Sequence, residues 1–360
     1  GDLVVLRSVQ SREAAHERGQ YTVQTGHSFN PAIAPEVPHI GAVVSKERFQ
    51  AGAKLPPFLA FNSNGLRGPA FLGGQYSPFQ PFPNRDGLYT LQHNYYGNAA
   101  QSQPIFEDKF DLLTTLDAPL RANPYSQAMA DYTAMYAQAR RMMYDPAIDS
   151  VFKFTPADEA RYGSSSFGNS LLTARNAIRA KNGTVFFTAA LDGWDQHFNM
   201  YDAANGNNYF NLARRLDTAL GAFVQDLKAS GDLASTLIVV MGEFGRTPGA
   251  LNTRDGRDHF KDLMCALLIG GGTRGGTVIG VTDAEGREIV EPGWSAQRPI
   301  YVEDIMATMY SALGIDWTRS ISDTPSGRRY SYLVGAEEGA VQPVSPPSTA
   351  NDNSGMLPQS

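Results

Sequence analysis

The feature that most narrows the possible folds is the alternation, in the second half of the chain, of short apolar runs with amphipathic helical patterns. "TVFFTAA", "STLIVVM", "ALLIGGG" and "TVIGV" each read as a strand. Between them, "NYFNLARRLDTALGAFVQDLKAS" places apolar residues at helical spacing and stops at Gly231, and "YVEDIMATMYSALGI" does the same up to Gly314. Strands alternating with helices imply an α/β fold with a mainly parallel sheet flanked by helices on both faces. The chain opens on a further run of this kind, "DLVVLRSVQ", whose Leu3 to Leu6 stretch suits a buried parallel strand. A polar helical segment, "SREAAHERGQYTVQTG", follows it.

These elements are expected to form a single domain over residues 1–338. Within it, residues 27–105 are rich in Pro, Gly, Asn and aromatics and read as a long loop-rich insertion. Residues 106–182 read as mainly helical, with Pro124 in the first turn of "PYSQAMADYTAMYAQARRMM". Residues 339–360 are rich in Pro and Ser and read as a disordered tail. A net charge of −6 argues against nonspecific nucleic-acid binding. No apolar stretch approaches the ~18 residues of a membrane span. Cys265 is the single cysteine, so no intrachain disulfide forms, and its apolar run suggests a buried small hydrophobe. The chain begins inside a strand-like run without an initiator Met, which suggests a processed or truncated N-terminus.

Ionisable chemistry concentrates at the expected carboxyl ends of strands, where open parallel sheets bind ligands. "LDGWDQHFN" offers Asp192, Asp195 and His197, "GEFGRTP" offers Glu243 and Arg246, and "GRDHF" offers Arg257, Asp258 and His259. Sets of Asp, His and Glu provide the nitrogen and hard oxygen donors of a divalent cation such as zinc or manganese. Arginines suit an anionic ester through forked hydrogen bonds. Asp192, followed by Gly193, reads as a turn residue. Arg246 either pairs with Glu243 as a structural clamp or binds an anion. His27, His39 and His93 fall in the loop-rich segment and read as structural or exposed.

"GWDQHFN", "VVMGEFGRTP" and "GRDHF", in this order, resemble the bacterial family of unknown function DUF1501, whose motifs read Trp-Asp-Thr-His, Ser-Glu-Phe-Gly-Arg-Thr-Pro and Gly-Arg-Asp-His-Trp. "YVEDIMATMYSALGID" and "HERGQYTVQTGH" are similar to segments of sulfatases, which places the resemblance in the alkaline phosphatase-like superfamily. It implies a site for one or two divalent ions (zinc, manganese or calcium) acting on phosphate or sulfate esters. One ion would take Asp195, His197 and His259. Glu243 and Asp258 would serve a second. Arg246 or Arg257 would offset charge on the ester oxygens. His16 aligns with the sulfatase nucleophile and reads as a ligand, a nucleophile or a residue on a polar helix face. The superfamily's Asp-His pair reads Glu243-Phe244 here, and its first strand with an early metal-binding Asp is absent. The substrates implied are a small anionic ester or a sulfated or phosphorylated glycan, and the family implies a periplasmic or secreted location. The alternatives are a non-catalytic member that binds an anion or glycan in the same cleft, and a protein whose cations are purely structural.

Overall fold

The computed structural model describes residues 1–83, 85–87 and 98–344. In chain order its strands are β1 (Leu3–Gln10), β2 (Phe58–Phe61), β3 (Phe186–Ala189), β4 (Leu237–Val240), β5 (Gly245–Arg246), β6 (His259–Phe260), β7 (Met264–Gly270), β8 (Thr277–Ile279), β9 (Val281–Thr282), β10 (Ile289–Glu291), β11 (Ile300–Tyr301), β12 (Ser320–Ile321) and β13 (Tyr330–Ser331). The α-helices are α1 (His16–Thr25), α2 (Ile40–Glu47), α3 (Ala99–Leu116), α4 (Ala118–Ala122), α5 (Gln127–Met142), α6 (Pro146–Val151), α7 (Pro156–Arg161), α8 (Ser166–Ala180), α9 (Tyr209–Ser230) and α10 (Val302–Ala312). The described residues divide into two compact units: 1–40, 192–214 and those from 227 onward form the first, and those within 41–191 together with 215–226 the second.

The first unit is built on a five-stranded mixed sheet in the order β11-β1-β7-β4, with β8 also paired to β1. β1 runs parallel to β8 and β11 and antiparallel to β7, and β4 is also antiparallel to β7. The mainly parallel sheet expected from the sequence is therefore corrected to a mixed one. A parallel return from β4 to β7 needs a crossover of a dozen or more residues, usually a helix. Residues 241–263 contain only the β5–β6 ribbon, so the chain turns back antiparallel. Val4, Leu6 and Val9 of β1 are fully buried, as are Leu268 of β7 and Ile300 of β11. α10 adds Val302, Ile305, Met306 and Tyr310 to this core. Cys265, expected inside, is exposed: alternation along β7 buries Met264 and Ala266 and turns Cys265 to the opposite face.

The tail is more ordered than its composition suggests, and one helix begins later than expected. Gln342 donates its backbone N–H to Asp304 (3.1 Å) and Val344 donates its own to Thr308 Oγ1 (2.9 Å). Val341 and Val344 are buried, so the expected tail is packed as far as residue 344, and 345–360 lie outside the described residues. Pro124 does not open a helix. α5 begins at Gln127, and Ser126 caps it by accepting from the Met129 N–H.

The second unit holds the parallel pair β2–β3, in register from Phe58↔Phe186 to Phe61↔Ala189, together with helices α3 to α8. The loop-rich reading of 27–105 missed α2 and β2, both short and flanked by Pro and Gly. A charge cluster ties α7, α8 and residues 215–226. Asp226 accepts from Arg175 Nη1 (2.7 Å), from Tyr162 Oη (2.8 Å) and from Arg161. Burial pushes the Asp226 carboxyl up, but the hydrogen bonds from Arg175, Arg161 and Tyr162 outweigh it and hold the group at about 2.

The sign of the linkage follows from that depressed value. An unfolded Asp titrates near ~3.9, so the stabilisation is fully present above about pH 4 and drains away as pH falls through about 2. Asp226→Asn should cost on the order of 1–2 kcal/mol at neutral pH, allowing for solvent screening. It should also flatten the loss of stability between about pH 4 and 2. Urea unfolding at a series of pH values reads both effects, and parallel acid profiles for variant and wild type would count against this role.

Candidate metal centre

Two strand ends and one long loop of the first unit converge on a small polar cluster. β1 ends at Gln10, and six residues later His16 opens α1. β4 ends at Val240, and Glu243 follows before the β5–β6 ribbon. The ribbon pairs Arg246 with His259 across its two strands, and Thr247 extends it by donating to the Asp258 carbonyl (2.9 Å). The loop carrying Asp195 and His197 is fastened to the residues before β6: Arg257 N–H donates to Gln196 O (2.9 Å) and Asn252 Nδ2 to His197 O (3.1 Å).

Asp195 is the hub. Its Oδ1 lies 3.0 Å from His197 Nε2 and 3.1 Å from His259 Nε2, and its Oδ2 lies 3.1 Å from His16 Nε2. The Nε2 atoms of His197 and His259 are themselves 3.0 Å apart. Ligand atoms of His16, Asp195 and His259 all lie within 4.8 Å of one another. Arg246 also donates to Asp195 Oδ1. Partial burial works against the charged form of Asp195, yet the hydrogen bond and positive charge of Arg246 hold its carboxyl well below the usual carboxylate range.

The opposite nitrogen of each ring decides what Nε2 can do. His16 Nδ1 meets Glu243 Oε1 at 2.7 Å, His197 Nδ1 meets Asp258 Oδ1 at 2.8 Å, and His259 Nδ1 meets the Ala14 carbonyl at 2.7 Å. All three partners only accept, so each Nδ1 carries the hydrogen. In a neutral ring that leaves the Nε2 lone pair bare, within 3.0–3.1 Å of an Asp195 oxygen. Three lone pairs and a carboxylate packed at 3.0–3.1 Å repel one another unless positive charge lies among them.

His16 Nε2 makes the point most sharply. It is buried and has no hydrogen-bond partner, because Asp195 Oδ2, although 3.1 Å away, lies off the bonding direction. Tetrahedral donors around an ion with ~2.0 Å bonds are separated by roughly 3.3 Å, close to the spacings seen around Asp195. The residues present therefore fit a borderline divalent cation. Nitrogen donors favour zinc over calcium, which prefers an all-oxygen shell.

The eight residues expected at the site (His16, Asp195, His197, Glu243, Arg246, Arg257, Asp258 and His259) all fall in this region, in differing positions. His16, Asp195, His197 and His259 turn donor atoms inward. Glu243 and Asp258, expected as ligands of a second ion, instead hold His16 and His197 by Nδ1, and the bond from His197 keeps Asp258 below the ordinary carboxylate range. Arg246 points at Asp195, not at Glu243. Arg257, expected at the substrate, donates to the backbone carbonyls of Thr247 and Gly249 and braces the loop. Asp192 is exposed and lies outside the cluster, in irregular chain before Gly193 at φ 105°, and no turn forms there. His27 and His39 are buried, His27 being stacked on Tyr330 at 5.3 Å, and His93 lies outside the described residues.

Two contributors were not legible beforehand. The Ala14 carbonyl fixes His259 through a backbone atom that no side chain announces. Phe244 occupies the place of an expected histidine and packs its ring against His259 (4.3 Å) and His16 (5.0 Å), which walls one side of the cluster.

Close packing of backbone holds the loops in place. A Cβ added at Gly256 would stand 2.1 Å from the carbonyl carbon of His197. Gly256→Ala should therefore shift the His197 loop, at a cost of about 1–3 kcal/mol. Thermal melting and zinc affinity should fall together, and a variant with unchanged zinc affinity would show that the loop contact does not set the site. Asp258→Asn should keep the fold and weaken zinc binding by about 10- to 100-fold, since it loosens the hold on His197 Nδ1. Isothermal titration with zinc measures that change.

The family model described as "Protein of unknown function (DUF1501)" matches residues 1–339, and the chain belongs to that family. No curated protein matches the chain. One solved structure, the crystal structure of Ps i-CgsB, aligns with 85% of this chain at 11% identity and a TM-score of 0.35. The chain spans 60% of the length of that protein, and the likeness is too slight to carry an argument.

Proposed function

We propose that this DUF1501 protein is a metal-dependent hydrolase of phosphate or sulfate esters, of the alkaline phosphatase-like kind. The observation that carries the reading is the convergence of three imidazole Nε2 atoms on Asp195, each with its Nδ1 fixed by an acceptor. His16, Asp195 and His259 would hold the cation, with His197 beside them. When bound, such an ion supplies Lewis-acid polarisation of the ester and of water.

The chain's own groups fit the rest of the chemistry. Arg246, already directed at the cluster, is placed to offset the equatorial negative charge of a phosphoryl or sulfuryl group. α1 begins at His16, so its unpaired first-turn N–H groups lie at the same end and favour an anion. The pair Asp258–His197 is suited to hold or release a proton at His197 Nε2. Side chains of the cluster remain partly open to solvent, Asp195 about half exposed at 47%, so a substrate can reach them. The donor set favours one ion over two, because Glu243 and Asp258 are engaged with histidines. His16 as a ligand also removes it as a free nucleophile, which leaves water to attack.

A second reading, a non-catalytic protein binding an anionic glycan in the same place, draws on the same His16 geometry, since no other nucleophile stands at that position. A periplasmic or secreted location accompanies either reading. No helix of the described residues is long and apolar enough to cross a membrane.

Elemental analysis of the purified chain should give about one equivalent of zinc or manganese, and His259→Ala should lose it. Release of p-nitrophenol from its phosphate or sulfate ester should fall by about 10²-fold or more in the same variant. Acidification should weaken metal retention, because protons compete for the imidazole nitrogens. Metal without turnover of either ester would favour the binding reading. Absence of metal from the wild-type protein would refute both the ion and the hydrolysis that depends on it.

A further inference from the structure

The loop that supplies Asp195 and His197 also carries a group of aromatic rings that the ester chemistry does not use. Trp194 meets Tyr209 edge-on at 5.8 Å and 81°. Tyr201 meets Tyr209 at 5.9 Å and 79° and lies against Phe210 at 5.3 Å and 35°. Phe198, directly after His197, stands apart from this contact network and is exposed. Phe198, Tyr201, Tyr209 and Phe210 are 62%, 41%, 38% and 59% exposed, a concentration of open ring surface that folding alone does not require.

The loop is firmly held. Asn199 and Met200 donate backbone N–H groups to Arg254 and Asp255 carbonyls, both at 2.9 Å. Tyr209 N–H closes the loop on the Met200 carbonyl (3.0 Å), and buried Asn208 caps α9 through the Asn211 N–H (3.0 Å). The rings therefore sit on the same rigid segment as the donors of the metal centre, with Trp194 next to Asp195 in sequence.

The character of the patch selects its occupant. Across residues 192–214 every large apolar side chain that is exposed is aromatic. Protein interfaces add Met and Arg to their aromatic rings, and membrane-surface helices add Leu; neither Met nor Leu is exposed in this segment. Flat rings without aliphatics, tipped with tyrosine hydroxyls, suit ligands that present a planar C–H face ringed by hydroxyls. Nucleobases also stack on such rings, but the net charge of −6 opposes a polyanionic backbone.

We propose that Trp194, Tyr201, Tyr209 and Phe210 form a stacking platform for the sugar rings of a carbohydrate chain whose anionic substituent reaches the His16–Asp195–His259 cluster. The link to the cluster rests on the hydrolase reading above, whereas sugar stacking itself does not. The platform gives the carbohydrate affinity for the ring faces irrespective of its charge, and the cluster acts on the substituent.

Affinity gel electrophoresis against galactan, xylan and dextran, each beside its sulfated form, tests this with the full chain. At least one neutral polymer should retard the protein. Tyr201→Ala and Phe210→Ala should each lower the affinity by roughly three- to tenfold. Both variants should keep wild-type circular dichroism and wild-type metal content. Retardation that survives in both variants, or that appears only with sulfated polymers, would overturn the platform, as would the absence of retardation by any polymer. Metal content measured on the same samples separates the two ideas. Neutral-polymer retention without metal sustains the platform and defeats the hydrolase reading, and metal with no retention does the reverse.

Discussion

Everything in the first unit that bears on chemistry depends on the meeting of Asp195 with three imidazole rings. A carboxylate 3.0–3.1 Å from three Nε2 atoms is an arrangement that folding does not favour by itself. Burial of His16 Nε2 without a hydrogen bond adds to the cost, which is of order 1–3 kcal/mol for an unsatisfied polar group. Arg246 relieves part of the negative charge but reaches only one oxygen of Asp195. A cation among the donors satisfies all of them at once, and the rest of the loop architecture then reads as its support.

That support is layered. Glu243, Asp258 and the Ala14 carbonyl orient the rings through Nδ1. Arg257 fixes the Thr247–Gly249 turn, and Asn252 ties Asp258 to the His197 carbonyl. Phe244 packs against two of the rings and limits their tilt. Glycine at 256 lets two loops approach at backbone distance. The charged residues crowded between Met241 and Phe260 thus divide their labour: His259 would donate to the proposed ion, Glu243 and Asp258 orient rings, Arg246 balances the charge of Asp195, and Arg257 holds backbone.

Much of this was readable in the sequence, for identifiable reasons. Strands β1, β4 and β7 and helices α9 and α10 follow from apolar periodicity, which is a local property, and Gly231 ends α9 at φ 81° as a left-handed cap. The residues of the cluster were visible because ionisable groups gather at strand ends. What could not be read is set by tertiary contact. The direction of β7 depends on a connection without a helix. Whether Glu243 faces an ion or a histidine depends on which ring nitrogen lies nearest. His16 reaches Asp195 only because α1 begins beside the β5–β6 ribbon, and its place in the proposed donor set comes from that position and not from its neighbours in sequence.

Imidazole nitrogens and one carboxylate are proposed to hold a cation. X-ray absorption at the zinc K-edge, on protein loaded with one equivalent of zinc, observes the donors directly. The account predicts a shell of nitrogen and oxygen at about 2.0 Å with the outer-shell scattering of at least two imidazole rings, reduced by one ring in His16→Ala. A shell of oxygen alone, or a spectrum unchanged by His16→Ala, would contradict it.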